Sequence, residues 1–149
     1  MFDDEWGWAD GTPEPAWVPR VQTLGLPCGQ YFDAVRVGVD SAISAHEILG
    51  PHSGPVLANS DTRTWFFLLE PGAVVPGSWE VRGSRLLRPG TIISVPPVFI
   101  TTGRDVRWVI LPGRGTTRPD DLRAALGGHT SLPPAPRRRA RRTANPPIR

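Results

Sequence analysis

Two stretches, Tyr31–Val39 (YFDAVRVGV) and Leu86–Val98 (LLRPGTIISVPPV), decide the fold class of this 149-residue chain. The first alternates between two sets of side chains, as expected for a β-strand, in which successive residues point to opposite faces. One face carries Tyr31, Asp33, Val35, Val37 and Val39, and the other carries Phe32, Ala34, Arg36 and Gly38. The second stretch contains the apolar run Thr91–Val95, which two prolines end. Both stretches therefore predict strands.

The rest of the middle of the chain adds helices and further strands. The most apolar run, Thr64–Leu69, predicts a buried strand. Ser41–Leu49, with Asp40 as its N-cap, and Pro119–Leu126, followed by glycine, predict two short helices. Shorter strands are predicted at Pro55–Ala58, Trp79–Arg82, Arg85–Leu87 and Val106–Leu111. The sequence thus predicts an α/β (α+β) fold, with a small mixed or antiparallel sheet and two short helices.

Two pairings and a set of central strands follow from this pattern. We expect 79–82 and 85–87 to form a hairpin around Gly83-Ser84, and 106–111 to pair with 91–95. The strands 31–39, 64–69, 91–95 and 106–111 should then be central, since they are the most apolar.

Charge and composition divide the chain into three parts. The formal net charge is only +3, and every basic residue is arginine. Residues 1–16 form an acidic arm with tryptophans, 17–127 form the folded domain, and 128–149 form a tail rich in proline and arginine. The tail has little to bury, so it is expected to be disordered, and the arm is expected to be mobile.

Several classes of protein are excluded by composition. Cys28 is the single cysteine, so no disulfide can form within the chain. No apolar run approaches the roughly 20 residues that span a bilayer, and the acidic N-terminus is unlike a signal peptide. The three histidines lack metal-ligand spacing. We therefore expect a cytoplasmic protein with no membrane partner, no cofactor and no metal.

The order of these motifs resembles a known family. The segments FDAVRV, LGPHSGPV, TWFFLLEPG, GTIISVPPV and RWVILPG follow one another between Cys28 and Leu111. This order is similar to that of the bifunctional DNA primase/polymerase domains of actinobacteria, phages and plasmids. The best match is Gly90–Pro97 (GTIISVPP) with the family's G-Y-V-V-A-P-P motif. The resemblance implies a reduced primase/polymerase-like module.

The positions that matter for catalysis in that family differ in this chain. Arg36 and Gly38 stand where the resemblance requires two metal-binding acids, and Thr64 stands where it requires a histidine. Two-metal phosphoryl transfer needs clustered carboxylates, and an arginine repels Mg²⁺. The resemblance therefore implies the fold without polymerase activity, and we assign no catalytic residue. An active nucleotidyl transferase with an unorthodox site at Asp33, Asp40 and Asp61 stays open as an alternative.

Two sets of residues are candidates for binding. Arginines in the tail and on the proposed sheet predict sequence-independent contacts with nucleic-acid phosphates. This set comprises Arg137, Arg138, Arg139, Arg141, Arg142, Arg36 and Arg63. The remaining sheet arginines either line a positive cleft with Arg36 or cover the solvent side of a one-sided sheet.

The second set is the tryptophan pair of the acidic arm, Trp6 and Trp8, which would dock on a protein partner or on the chain's own arginine-rich surface. The sequence therefore favours a catalytically degenerate, nucleic-acid-associated accessory or regulatory protein. A protein-protein interaction module that uses Trp6 and Trp8 is the alternative among proteins without catalytic activity.

Overall fold

The computed structural model describes residues 15–75, 77–113 and 115–127 of the chain. In chain order, the strands and helices are β1 (Leu24–Pro27), β2 (Asp33–Gly38), α1 (Val39–Leu49), β3 (Val56–Asn59), β4 (Thr64–Leu69), β5 (Ser84–Leu86), β6 (Ile92–Val95), β7 (Arg107–Ile110) and α2 (Pro119–Gly127). The predicted α+β class with two short helices is confirmed. The predictions for residues 1–14 and 128–149 lie outside the described residues. Within the described ranges, no helix is long and apolar enough to cross a membrane.

The strands form two antiparallel sheets. Five of them lie in the order β5-β2-β4-β3-β7, and β1 pairs with β6 in a separate two-stranded ribbon. Both β2 and β3 run antiparallel to β4, so the connection between them must cross the sheet. Helix α1 makes this crossing and therefore lies on one face of the five-stranded sheet.

Strand β4 is buried on both faces, which explains why its sequence is almost continuously apolar. Trp65, Phe67 and Leu69 point to one face and join the core beneath the two helices. Leu68 points to the other face and joins a second core, which contains Trp17, the ribbon residue Ile93 and Trp108 of β7. The protein thus has three layers: the helices, the five-stranded sheet, and the ribbon with the N-terminal described residues.

Helix α1 packs through small side chains. Its buried residues are Ala42, Ala45 and Leu49, while the larger Ile43 and Ile48 are exposed. Short side chains allow close contact between helices, and α1 packs against α2. The predicted N-cap of α1, Asp40, is wrong: Gly38 is the N-cap residue, and Asp40 lies within the first turn of the helix.

The predicted hairpin around Gly83-Ser84 is wrong. Residues 79–82 form no strand, and β5 pairs with β2. The loop before β5 is held instead by the indole of Trp79, whose Nε1 donates a hydrogen bond to Ser84 Oγ at 2.8 Å. Trp79 thereby connects the loop 79–82 to β5, which is an edge strand of the sheet.

The predicted pairing between 91–95 and 106–111 is also wrong. Strand β6 pairs with β1, whose strand character was not predicted, and β7 pairs with β3. Two of the four strands expected to be central, β2 and β4, are inner strands. In contrast, β7 lies at an edge and β6 belongs to the ribbon. A hydrogen bond from Trp108 Nε1 to the Pro96 carbonyl, 2.9 Å long, still connects the two segments.

The segment before β3 contacts the segment before α2 across a long separation in sequence. The Gly54 N–H donates a hydrogen bond to Thr117 Oγ1, and both residues are buried. A Cβ atom on Gly54 would lie 2.8 Å from Thr117 N and 2.9 Å from Thr116 Cα. These atoms are backbone atoms, so they cannot move aside as a flexible side chain would. The close approach therefore requires glycine at position 54.

Replacing Gly54 with alanine should lower the free energy of unfolding by about 1–3 kcal/mol, the usual cost of overpacking. Denaturant unfolding followed by circular dichroism measures this change. The control is Gly38→Ser, because a Cβ at Gly38 meets nothing within 4 Å and serine suits an N-cap. Equal stability of Gly54→Ala and the native chain would contradict the packing described.

Candidate functional site

The candidate site lies on the face of the five-stranded sheet opposite the helices, beside the part of that face that the ribbon covers. Strand alternation places Arg36 and Gly38 on this face, as predicted, and both are exposed. In the pairing of strands, Arg36 lies opposite Arg85 of β5 on one side and Phe66 of β4 on the other. Gly38 lies opposite Thr64. Three neighbouring strands thus bring two arginines, a glycine and a hydroxyl together.

These residues line two adjoining depressions of about 370 Å³ each. Both depressions have Arg36 and Arg85 in their walls. One extends to Gly38 and Thr64, and the other to Arg88 and Thr91. We call the two depressions together, defined by these six residues, the arginine groove. A Cβ built on Gly38 would find no atom within 4 Å, so this end of the arginine groove is open.

The arginine groove is positively charged. Among the residues that the structure describes, three arginines and no carboxylate line it. The ion pairs found among the described residues are Arg104–Asp61 and Arg123–Asp120, which lie elsewhere. Side chains on directly paired residues have Cβ atoms about 4.5–5.5 Å apart, and like charges placed this way are destabilising. A bound anion would offset the repulsion between Arg36 and Arg85.

Asp33, Asp40 and Asp61, all described residues, do not come together as a group that could hold a metal ion. Asp33 begins β2, about 17 Å from the Gly38 end by strand geometry, and its Oδ2 accepts a hydrogen bond from the Gly72 N–H at 3.0 Å. Asp61 Oδ1 accepts one from Arg104 Nε at 3.0 Å. Burial raises the pKa of Asp33, and the Gly72 hydrogen bond partly opposes this rise.

The wider distribution of possible metal ligands agrees with this separation of the acids. Across 15–75, 77–113 and 115–127, no three or more His, Cys, Asp or Glu side chains are grouped so that they could hold a metal ion.

The predicted binding residues have different outcomes. Arg36 lies in the arginine groove. Arg63 lies in the turn before β4, at a positive φ of 58°, where its carbonyl accepts a hydrogen bond from Val39 N at 3.0 Å. It does not line the arginine groove. Predicted positions outside the described residues are Trp6, Trp8, Arg137, Arg138, Arg139, Arg141 and Arg142.

Sequence reasoning offered Arg85 and Arg88 only among the sheet arginines that either line a cleft with Arg36 or face solvent. The predicted hairpin paired 85–87 with 79–82, so the direct pairing of Arg85 with Arg36 was not predicted. Alternation within Ser84–Leu86, combined with pairing to β2, would have revealed the opposition of Arg36 and Arg85. The missing information was the identity of the partner strand.

Comparison with known proteins gives no relative from which to transfer a function. No protein-family model matches the chain, and neither a curated protein nor a solved structure matches it. The chemistry of the arginine groove is therefore the basis for assigning a function.

The opposition of Arg36 and Arg85 leads to a prediction about stability. Arg36→Gln should raise the free energy of unfolding by about 0.2–1 kcal/mol at low salt, because it removes a like-charge cross-strand pair. The gain should shrink at about 0.5 M salt, where charges are screened. Thermal unfolding at both salt concentrations measures it. Arg36→Lys keeps the charge and serves as the control; an equal gain in that variant would contradict electrostatic repulsion as the cause.

Cys28 is a free thiol that is buried in the second core. Burial raises its pKa to about 11, and the negative charge of nearby Asp33 adds to the rise. The pKa of Cys28 is higher in the folded chain than in the unfolded chain. The contribution of the neutral thiol to the free energy of unfolding is therefore fully present below pH 9. It is lost as the pH rises toward 11.

At pH 8 a thiol with a pKa near 11 is only about one part in a thousand ionised. Cys28 should therefore react with a disulfide reagent at least about a hundredfold more slowly in the native chain than in the unfolded chain. Spectrophotometric thiol titration with and without denaturant measures the ratio. Rapid labelling of the native chain would contradict the burial of the thiol.

Proposed function

We propose that this protein is a nucleic-acid-associated accessory or regulatory protein that binds the phosphate backbone through the arginine groove. The observation that supports the proposal most directly is the cross-strand pairing of Arg36 with Arg85, in a groove that no carboxylate of residues 15–75, 77–113 or 115–127 lines. Such a pair is unfavourable alone and becomes favourable when an anion lies between its members. The resemblance to primase/polymerase domains, with arginine and glycine at the acidic positions, points to the same class of ligand.

The residues present suit a phosphate chain better than a single small ion. Arginine offers a planar fork of donors that matches phosphate oxygens. The arginine groove runs from the Thr64 end, past Arg36 and Arg85, to Arg88 and Thr91. Arginines spaced along an open groove can contact successive phosphates, whereas a lone phosphate would use only one or two of them. Contacts of this kind carry no direct sequence information.

The tail arginines would extend the same contact. Arg137, Arg138, Arg139, Arg141 and Arg142 form the densest basic run in the chain, and each phosphate they neutralise releases counterions. In this proposal the arginine groove orients the nucleic acid and the tail adds affinity.

Nucleic-acid binding is tested by fluorescence anisotropy with labelled single-stranded DNA, duplex DNA and single-stranded RNA. The comparison is between Gly38→Asp and Gly38→Asn. Both residues are good N-caps, and both side chains enter the open end of the arginine groove, but only aspartate adds a charge. Gly38→Asp should weaken binding by about tenfold or more, equivalent to about 1.4 kcal/mol, while Gly38→Asn should bind nearly as well as the native chain.

The tail is tested by the salt dependence of the same titration. Deleting residues 129–149 should reduce the slope of log affinity against log salt by about 0.7–0.9 for each phosphate that the tail neutralises in the native chain. Absence of binding at low salt, or equal binding by Gly38→Asp and Gly38→Asn, would contradict the role of the arginine groove. Nucleotide incorporation with Mg²⁺ that Asp33→Ala or Asp40→Ala abolishes would instead support the enzymatic alternative.

A further inference from the structure

The arginine groove lies close to the point where the described chain begins. Pro15 is buried, and the ring of Trp17 lies 5.2 Å from that of Phe32 between centroids. Phe32 immediately precedes β2, the strand that carries Arg36. Trp17 belongs to the core on the same face of the sheet as the arginine groove, together with the neighbouring residues Phe66 and Leu87. The described chain therefore begins on the face of the sheet that carries the arginine groove.

The length of the segment 1–14 is more than sufficient to reach the arginine groove. Along a strand, the four positions from Phe32 to Arg36 span about 13 Å. Fourteen residues span up to about 45 Å when extended. A tethered segment with this reach meets the arginine groove at a high effective concentration, of millimolar order for a short flexible link.

The chemistry of the segment is complementary to that of the arginine groove. Residues 1–14 carry five acids and no arginine, whereas the described part of the chain lines the arginine groove with three arginines and no carboxylate. Carboxylates accept bidentate hydrogen bonds from arginine, and indole rings stack on guanidinium groups. The protein already forms one such stack, with the Arg123 guanidinium 4.9 Å from the centre of the Trp79 ring. Trp6 and Trp8 lie between the acids in sequence and offer the same contact.

We propose that residues 1–14 dock in the arginine groove, with their carboxylates on Arg36, Arg85 and Arg88, and so compete with other anions for it. The occupant is a segment of the same chain, and the proposal holds whether or not nucleic acid is the competing ligand. Each exposed ion pair contributes only about 0–1 kcal/mol. Docking therefore depends on several pairs acting together and weakens as salt screens them.

The docking is tested in the full chain by paramagnetic NMR. A nitroxide is attached at Ala9→Cys, since the buried Cys28 thiol resists labelling. At low salt the amide signals of Gly38, Thr64 and Ser84 should be lost to broadening and should return when the nitroxide is reduced. They should also return at about 0.5 M salt. Gly38→Asp should abolish the broadening, measured at the amides of Thr64 and Ser84, and Gly38→Asn should keep it.

A mixed sample separates docking within a chain from contact between chains. Isotope-labelled chain without nitroxide is combined with unlabelled chain that carries it. Broadening in this sample would overturn the proposal in favour of a second copy as the occupant. Broadening that occurs only when the nitroxide and the isotope label are in the same chain supports docking within the chain. No broadening at Thr64 and Ser84 at low salt, or broadening that persists in Gly38→Asp, would overturn it.

A second measurement relates the docking to the proposed function. Changing all five acids of residues 1–14 to their amides should tighten binding of single-stranded DNA several-fold at low salt and change it little at high salt. The two proposals fail separately. Broadening without any DNA binding supports the docking and refutes the proposed function, while DNA binding that the amide variant leaves unchanged at low salt overturns the competition.

Discussion

The burial of β4 on both of its faces is the constraint on which the other layers depend. Phe67 and Leu68 are fully buried yet point in opposite directions. The helices must therefore cover one face, and the ribbon with Trp17 must cover the other. Truncating a buried phenylalanine costs about 3–5 kcal/mol, a large part of the 5–15 kcal/mol by which domains are stable. Loss of either cover would expose a full row of apolar side chains.

The arginine groove lies where one of these covers ends. On β2, Ala34 is buried beneath the second core, whereas Arg36, two residues further along the same face, is exposed. Two successive residues on one face of β2 thus have different surroundings: Ala34 lies in the core, and Arg36 lies on the polar surface. Sites built on strands are positioned more precisely than sites on loops, so the pairing of β2 with β5 fixes the backbone spacing of Arg36 and Arg85.

Local sequence patterns predicted most of the strands and helices, but they did not predict which strands pair with each other. Alternation gave the correct faces of β2, and the apolar run gave the correct bounds of Thr64–Leu69. Neither pattern states which strand lies alongside, so β5 was assigned to a hairpin and Arg85 was left out of the site. Strand β1 was missed because Leu24–Pro27 contains glycine and proline and is half exposed; it is a strand only because β6 pairs with it.

The contact between Gly54 and Thr117 has a consequence for the order in which the molecule forms. The two residues are 63 positions apart, and the closure of so long a loop costs entropy before its contacts compensate. Ribosomal synthesis produces Thr117 after Gly54, so the side of α1 that packs against α2 stays exposed until α2 has been made. During that interval the core residues that pack with Leu122 and Ala125 of α2 are exposed, and exposed apolar surface of this kind makes folding intermediates prone to aggregation.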